Sequence, residues 1–555
     1  MHTDNTAKSE KAMIRLTDTS EKADEIQKRL LTDLLCQNRK TKYGRKCRFS
    51  RIKSVEDFQR KVPVSDYNDY EKYLSRIVNG EKNILTAEDV VYFCISSQAA
   101  DQEICLPLTE TDIYLQYLYA YEAVSDAVRE HCQSPDGEKV FGRIFQTESF
   151  MAASMPGGRL KGIRSGCLFR WLSNIDGLDL SNYCIPKEVF LPDTSEDLLY
   201  VRVRFALAEP DITGLHGVLI NRMAGVMDYI YQNWDLLLKD IEHGTIDESI
   251  GLSERWRNYL KRKLPADADR AEELREIPKN KLQNGMVKKI WKNAKYILAV
   301  GGEAFSCYTE RMRRYAGDVP IHHFVYAASA GIFGIAEKVD VSDRYILIPE
   351  AGFFEFIPVD AAEKVRPLLM QDVRVGEKYE LVFTNHSGFY RYRTGDVIEV
   401  VDWHHRVPVV KYCYRKDQVI DLAGEKSNQQ QLNAAIENFA KEADVTIKGY
   451  CVQKDDSGTR PRYLFYIECM RNRMNSKAEK ILEECMRQAN AAYQSCAERK
   501  IIAPLKIAFL MRGSFMRYEQ KLAAEGRHMG QNMPVHVLDT EDKITFFASQ
   551  RIGKS

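Results

Sequence analysis

The chain has 555 residues, too many for one hydrophobic core, so two or more domains are expected. Lys and Arg number 80 against 79 acidic residues, a balance that gives no electrostatic reason to expect nucleic acid or an anionic membrane surface as partner. A hydrophobic share of 44%, a charged share of 29% and no run near the roughly 20 apolar residues of a membrane-spanning helix are those of an ordinary globular protein. Thirteen scattered cysteines form no Cys-x-x-Cys pair and no Cys/His cluster at metal-ligand spacing, and are expected as reduced thiols. Residues 1–21 are polar and mixed in charge, so no signal peptide is expected and the location is expected to be cytoplasmic.

In chain order, Ile26, Leu30, Leu31, Leu34 and Leu35 recur at helical spacing and predict an amphipathic helix ending near Asn38. Tyr67, Tyr70, Tyr73 and Leu74 predict a second helix before the Asn79-Gly80 turn. The apolar run from Val90 to Ile95 predicts a strand that stops at Ser96-Ser97, and Tyr114, Leu115, Tyr117, Leu118 and Tyr121 predict a long, buried helix. Strands are expected within 193–207 and 345–358, a helix over 218–241, and a buried parallel strand at 296–300 feeding Gly301-Gly302. The charged stretch 265–281 reads as a surface helix and loop. Strands alternating with long helices predict an α/β fold with mostly parallel sheets. Beyond a boundary near 416–424, a helix at 431–441, strands at 446–453 and 462–469, a helix over 477–500 and a strand at 506–510 predict a second α/β unit. The expected organisation is a large N-terminal domain, 1–416, and a small mobile C-terminal α/β domain, 417–555.

Between them lies the segment Phe389-Tyr390-Arg391-Tyr392-Arg393-Thr394-Gly395-Asp396, read as an aromatic-basic strand running into a Thr-Gly-Asp turn. Gly395 allows the sharp turn. It leaves Asp396 at a strand end, where a carboxylate can accept hydrogen bonds from the vicinal hydroxyls of a ribose; a plain hairpin is the alternative reading. His322-His323 and His404-His405 are neighbours pointing to opposite faces of a strand, so neither predicts a metal site. The Gly-rich stretch from Pro156 to Gly162 lacks the Gly-Lys-Ser/Thr ending of a nucleotide loop and reads as a surface turn.

Around the Gly395 turn lie Tyr326-Ala327-Ala328-Ser329, Phe333-Gly334 and Phe353-Phe354-Glu355-Phe356-Ile357-Pro358, then Tyr414-Arg415-Lys416-Asp417 and Gly424-Glu425-Lys426-Ser427-Asn428. Their order and spacing resembles the auxin-responsive acyl acid–amido synthetase (Gretchen Hagen 3) family of the adenylate-forming superfamily, over nearly the whole chain. The chain is identified as a divergent member. The resemblance implies an adenylate-forming-type N-terminal domain and a two-step reaction: an acid attacks the α-phosphate of ATP, then an amine displaces AMP to form an amide. It implies ATP or AMP as the nucleotide, with Ser96, Ser97, Tyr326, Ser329 and Asp396 as its binding residues and Lys426 as the catalytic cation.

Three positions depart from the family pattern. In the phosphate loop Ser96-Ser97 remain, but Gln98, Ala99 and Ala100 replace the Gly and hydroxyl residues, and Asp101 and Glu103 add repulsive charge. Ala330 stands where the family carries a Mg²⁺-binding Glu, and Met533 stands where a Lys is common. No metal ligand is assigned, Mg²⁺ is doubtful, and Glu355, Lys426 and Lys521 are the remaining candidates for the missing charges. The expected function is the joining of a carboxylic acid, or an activated acyl group, to an amine, both small molecules. The alternatives are an acyltransferase that skips adenylation and an inactive nucleotide- or acid-binding pseudo-enzyme.

Overall fold

The computed structural model of the chain describes residues 5–97, 103–125, 128, 142–155, 158–174, 180–194, 196–302, 305–338, 343–359, 365–469, 477–525 and 536–552. Helices Asn5–Glu21 and Ala23–Asn38 open it, the second ending where its periodicity stops. Buried Gln27 fastens that helix to the sheet behind it: Nε2 donates to the carbonyls of Pro349 and Gly352 at 2.6 and 2.7 Å, and Oε1 accepts from Phe354 N–H at 2.9 Å. An amide satisfied on both ends adds specificity without leaving a buried orphan. Helix Tyr67–Val78 starts at Asp66, whose carboxylate accepts from the N–H groups of Asn68 and Asp69 in a capping box.

Three sheets build the N-terminal domain. Val90–Ser97 pairs antiparallel with Glu103–Thr109 and parallel with Leu160–Gly162. Arg143–Gln146, Ile212–Leu219, Tyr296–Val300 and Ile321–His322 form a sheet that is parallel throughout, as expected from the apolar run at 296–300. The largest sheet runs Leu368–Leu369, Phe353–Pro358, Lys378–Thr384, Tyr392–His404, Val407–Arg415, Tyr345–Leu347, Gly331–Ala336, Val325–Ala328, and every pairing in it is antiparallel. Several of its neighbours, such as Tyr392–His404 and Val407–Arg415, follow one another through tight turns, which only antiparallel pairing permits.

The strand expected within 193–207 is instead the helix Leu199–Ala208. On a strand, Val201 and Val203 would alternate with Arg202 and Arg204 to give one wet face. Both arginines are buried, however, and donate to backbone carbonyls: Arg202 Nε to Thr147 at 3.0 Å, Arg204 Nη1 and Nη2 to Thr245 and Asp240 at 2.9 and 3.0 Å. A helix buried on all sides shows no periodicity to read.

The hydrophobic clusters of this domain draw on residues up to Tyr412, whereas two further clusters use only residues from Ile420 onward. The smaller C-terminal domain has a three-stranded sheet, Ile447–Asp455, Arg462–Cys469 and Lys506–Phe509, with helices Gln429–Glu442 and Ala478–Ala489 packed together. The helix expected over 477–500 breaks at Asn490, which caps a second helix, Ala491–Glu498, by accepting from Ala492 and Tyr493 N–H. Across the domain junction Lys448 lies 3.4 Å from Asp228, and on its N-terminal side Lys416 lies 2.7 Å from Glu380. Among the described residues no helix is long and apolar enough to cross a membrane.

Candidate functional site

The segment around Asp396 departs from the turn read in the sequence. Phe389 to Arg391 are irregular, and the strand Tyr392–His404 runs straight through Thr394, Gly395 and Asp396. The register shows why: Arg393 faces Val382 and Val397 faces Glu380, so three residues stand opposite the single Leu381. This bulge is held by Thr394, whose hydroxyl donates to Leu381 O at 2.9 Å and accepts Asp396 N–H at 3.1 Å. Gly395 sits at φ +77°, and its bulge re-aims Asp396.

Asp396 faces a cavity of about 230 Å³ where the ends of Ile212–Leu219 and Tyr296–Val300 meet the large sheet. Crevices beyond the carboxyl ends of parallel strands are the usual ligand sites of α/β sheets. Tyr326, Ser329 and Arg415 line the same cavity. Asp396 is 4% exposed, and its Oδ2 accepts the Tyr326 hydroxyl at 3.0 Å. Burial first, and the Asp396 charge second, push the Tyr326 phenol well above its ordinary pKa, so it remains a neutral donor. The ring of Tyr326 packs 5.0 Å from Phe333, 5.9 Å from Tyr345 and 6.0 Å from Tyr412, centroid to centroid.

Ser96 and Ser97 end the strand Val90–Ser97, their Cα atoms opposite Ile104 and Glu103. Gln98 to Gln102, and the C-terminal segment with Met533, lie outside the described residues. Lys426 is exposed on the C-terminal domain, away from the cavity lining, and Lys521 is held by Asp542 at 2.7 Å. Ala330 is buried, and its carbonyl accepts Asn385 Nδ2 at 2.9 Å.

Glu355 is spoken for. Its two oxygens accept Arg391 Nε and Nη2, both at 2.9 Å, and Oε1 also accepts Gln59 Nε2 at 2.7 Å. Arg391 in turn donates Nη1 to the carbonyls of Gln59 and Val62. With Arg391 and Glu355 3% and 0% exposed, this is a fully satisfied buried fork. Glu355 therefore has no free oxygen to offer a metal, and among the described residues no group of three His, Cys, Asp or Glu side chains is placed to hold one.

Among the cavity residues that sequence reading missed are Gln116 and Arg164. Gln116 ends the helix Glu110–Gln116, which passes into a wider π-helical turn, Tyr117–Glu122. Arg164 starts the helix Arg164–Asn174, and its Nη2 donates to Ser329 O at 3.1 Å. The signal available was one charge at the head of the otherwise apolar Cys167-Leu168-Phe169 stretch. A separate cleft of about 710 Å³ between helices Ser306–Ala316 and Gln429–Glu442 of the two domains is lined, among the described residues, by none of Tyr326, Ser329, Asp396 and Lys426.

Comparison with known proteins finds matches over most of the chain. Models of the GH3 family N-terminal, central and C-terminal domains match residues 12–321, 345–415 and 430–541. The chain is 26% identical over 533 residues to the indole-3-acetic acid-amido synthetase GH3.4 of Arabidopsis thaliana, covering 91% of this chain and 87% of that one. It is 25% identical over 546 residues to the 4-substituted benzoates-glutamate ligase GH3.12 of the same plant, covering 93% of each. The solved structure of AtGH3.15 acyl acid amido synthetase in complex with 2,4-DB superposes with a TM-score of 0.85 at 20% identity, over 98% of this chain and 96% of that one, and so shares its fold. With the N-terminal family model alone spanning more than half of the sequence, the chain belongs to the GH3 family.

Proposed function

We propose that the chain binds an adenine nucleotide and a small carboxylic acid in the Tyr326–Asp396 cavity and joins the acid to an amine as an amide. The observation that carries this reading is the buried Asp396 carboxylate, aimed into a cavity by a glycine bulge and steadied by the Tyr326 hydroxyl. The names of its relatives, an acid–amido synthetase and a benzoate–glutamate ligase, support an acid and an amino acid as the two halves of the product.

In this reading Asp396 accepts the ribose hydroxyls, Tyr326 fixes the orientation of that carboxylate, and Ser329 offers a hydroxyl. Ser96 and Ser97 lead into the phosphate loop. Lys426 is the cation assigned to the reacting carboxylate, and it reaches the cavity only if the C-terminal domain turns about the junction at 416–420. We place the domain boundary there, 1–416 and 417–555, because the hydrophobic clusters divide between Tyr412 and Ile420, and the location as cytoplasmic. The residues fit the nucleoside end of ATP, which when bound supplies an activated acyl-phosphate bond. They fit Mg²⁺ poorly, since Ala330 has no ligand atom and Glu355 is committed to Arg391.

That misfit favours a second reading, in which a ready-made acyl thioester replaces adenylation, or the site only binds. Incubation with a carboxylic-acid panel, amino acids, Mg²⁺ and ATP, with pyrophosphate and amide product both measured, tests the first reading. Amide formed from an acyl thioester without pyrophosphate would favour the second.

A further inference from the structure

Arg164 is 5% exposed, lines the Asp396 cavity, and makes one hydrogen bond with its side chain, Nη2 to Ser329 O. Its Nε and Nη1 are buried and find no acceptor among the described residues. Beside it Gln116, 6% exposed and in the same cavity, donates Nε2 to Arg164 O at 3.4 Å and leaves its Oε1 without a donor among the described residues. Arg391 shows a fully satisfied guanidinium, with a carboxylate fork and two carbonyls, and buried Arg204 takes two carbonyls and a hydroxyl and leaves only Nε over, whereas Arg164 leaves two nitrogens. A buried charge without its partners is costly, and it persists where a ligand completes it.

The wall around Arg164 sets the ligand. Val218, Leu219, Phe305, Phe324 and Ile332 are apolar and contribute no hydrogen-bonding side chain. Arg164 and Arg415 against Asp396 leave the lining with a net of one positive charge; one negative charge balances it, which describes a carboxylate on an apolar body, whereas a phosphate dianion would leave charge buried without balance. A volume of about 230 Å³ suits one ring or a short chain, since an engineered apolar cavity of about 150 Å³ is already large enough to admit benzene.

We propose that Arg164 is the carboxylate-recognising residue of this site, and that it selects small monoanionic acids with an apolar body. This rests on the acid-binding half of the reading above and not on adenylation. Arg164 holds the acid by donating from Nε and Nη1 to the carboxylate oxygens, while Ser329 O keeps the guanidinium in place through Nη2.

The test is calorimetric titration, without ATP, of benzoate, phenylacetate, hexanoate, the uncharged benzamide and AMP into the full chain and its Arg164→Gln and Arg164→Lys variants. At least one acid is expected to bind. Arg164→Gln should weaken it by roughly 10- to 150-fold, the usual worth of hydrogen bonds to a charged group. Arg164→Lys should recover part of that loss, and benzamide and AMP should bind the three proteins alike. Unchanged acid affinity in Arg164→Gln would overturn the proposal, as would an equal loss for AMP, which would assign the arginine to phosphate, or the failure of every acid to bind. Arg164→Gln should also melt no lower than the parent protein without ligand, since it removes an uncompensated charge; unfolding of that variant would make the arginine structural. Failure to release pyrophosphate, by contrast, would sink the adenylating reading and leave these titrations standing.

Discussion

Tyr326 and Asp396, 70 residues apart, meet at 3.0 Å between two strands that are not neighbours in the large sheet. Burial and the Asp396 charge keep the phenol protonated as a donor to the carboxylate. If AMP or adenosine binds here, Asp396→Ala should weaken it by roughly 1–3 kcal/mol, the cost of leaving hydroxyl donors unpaired in a buried site. Tyr326→Phe should cost less, because it removes only the group that orients the carboxylate. Calorimetry giving equal AMP affinity for parent and Asp396→Ala would take Asp396 out of the site.

Gly395→Ala separates backbone geometry from chemistry. A Cβ there would meet only the Arg415 side chain, at 3.7 Å and beyond, so space is not the obstacle; the φ of +77° is. An L-residue held in that region costs about 1–2 kcal/mol. The chain is expected to relieve the strain by reshaping the bulge, which swings Asp396 away. Gly395→Ala should therefore lower both the melting temperature and AMP affinity. A fall in melting temperature with AMP binding intact would mean that the bulge does not position Asp396.

Much of this was legible in the sequence, for identifiable reasons. The helix ending at Asn38, the strand at 296–300 and the elements of the C-terminal domain follow from apolar periodicity and turn residues, which depend on near neighbours. The helix at 199–208 was missed because Arg202 and Arg204 satisfy themselves on distant carbonyls, and a local pattern carries no trace of Thr147 or Asp240. The same holds for Glu355, whose motif carries no trace of the distant Arg391 that takes both of its oxygens. Tyr326, Ser329 and Asp396 share one cavity, but Arg164 entered the site unannounced, since a single arginine has no spacing to betray it.

The junction between the domains should respond to acid. Glu380 is 2% exposed, and it faces Arg393 at 2.5 Å and Lys416 at 2.7 Å. Burial pushes its carboxyl up, but the hydrogen bonds from Arg393 and Lys416 outweigh burial and hold it below its ordinary value of 4.5. A carboxyl whose pKa is depressed by folding stabilises the fold above its unfolded pKa. That stability is lost as pH falls through the folded value. Melting temperature should therefore hold near neutral pH and drop between about pH 5 and about pH 3, and Glu380→Gln should start lower and decline less over that window. An identical acid slope in both proteins would remove Glu380 as a cause.

The sharpest prediction concerns triphosphate handling. Ala330 offers no side-chain ligand, its carbonyl is taken by Asn385, and Glu355 is closed off by Arg391. A divalent cation on ATP needs protein oxygens as well as phosphate oxygens. ATP should then bind no more tightly than AMP, and Mg²⁺ should add little to either. Ala330→Glu combined with Met533→Lys, Gln98→Gly, Ala99→Thr and Ala100→Ser should recover some ATP affinity. Each change alone should do little, because groups that act as a unit are not additive. Robust Mg²⁺-dependent pyrophosphate release by the unaltered chain would refute this. With Glu355 committed to Arg391, Lys426 is the remaining named cation and the first residue to substitute.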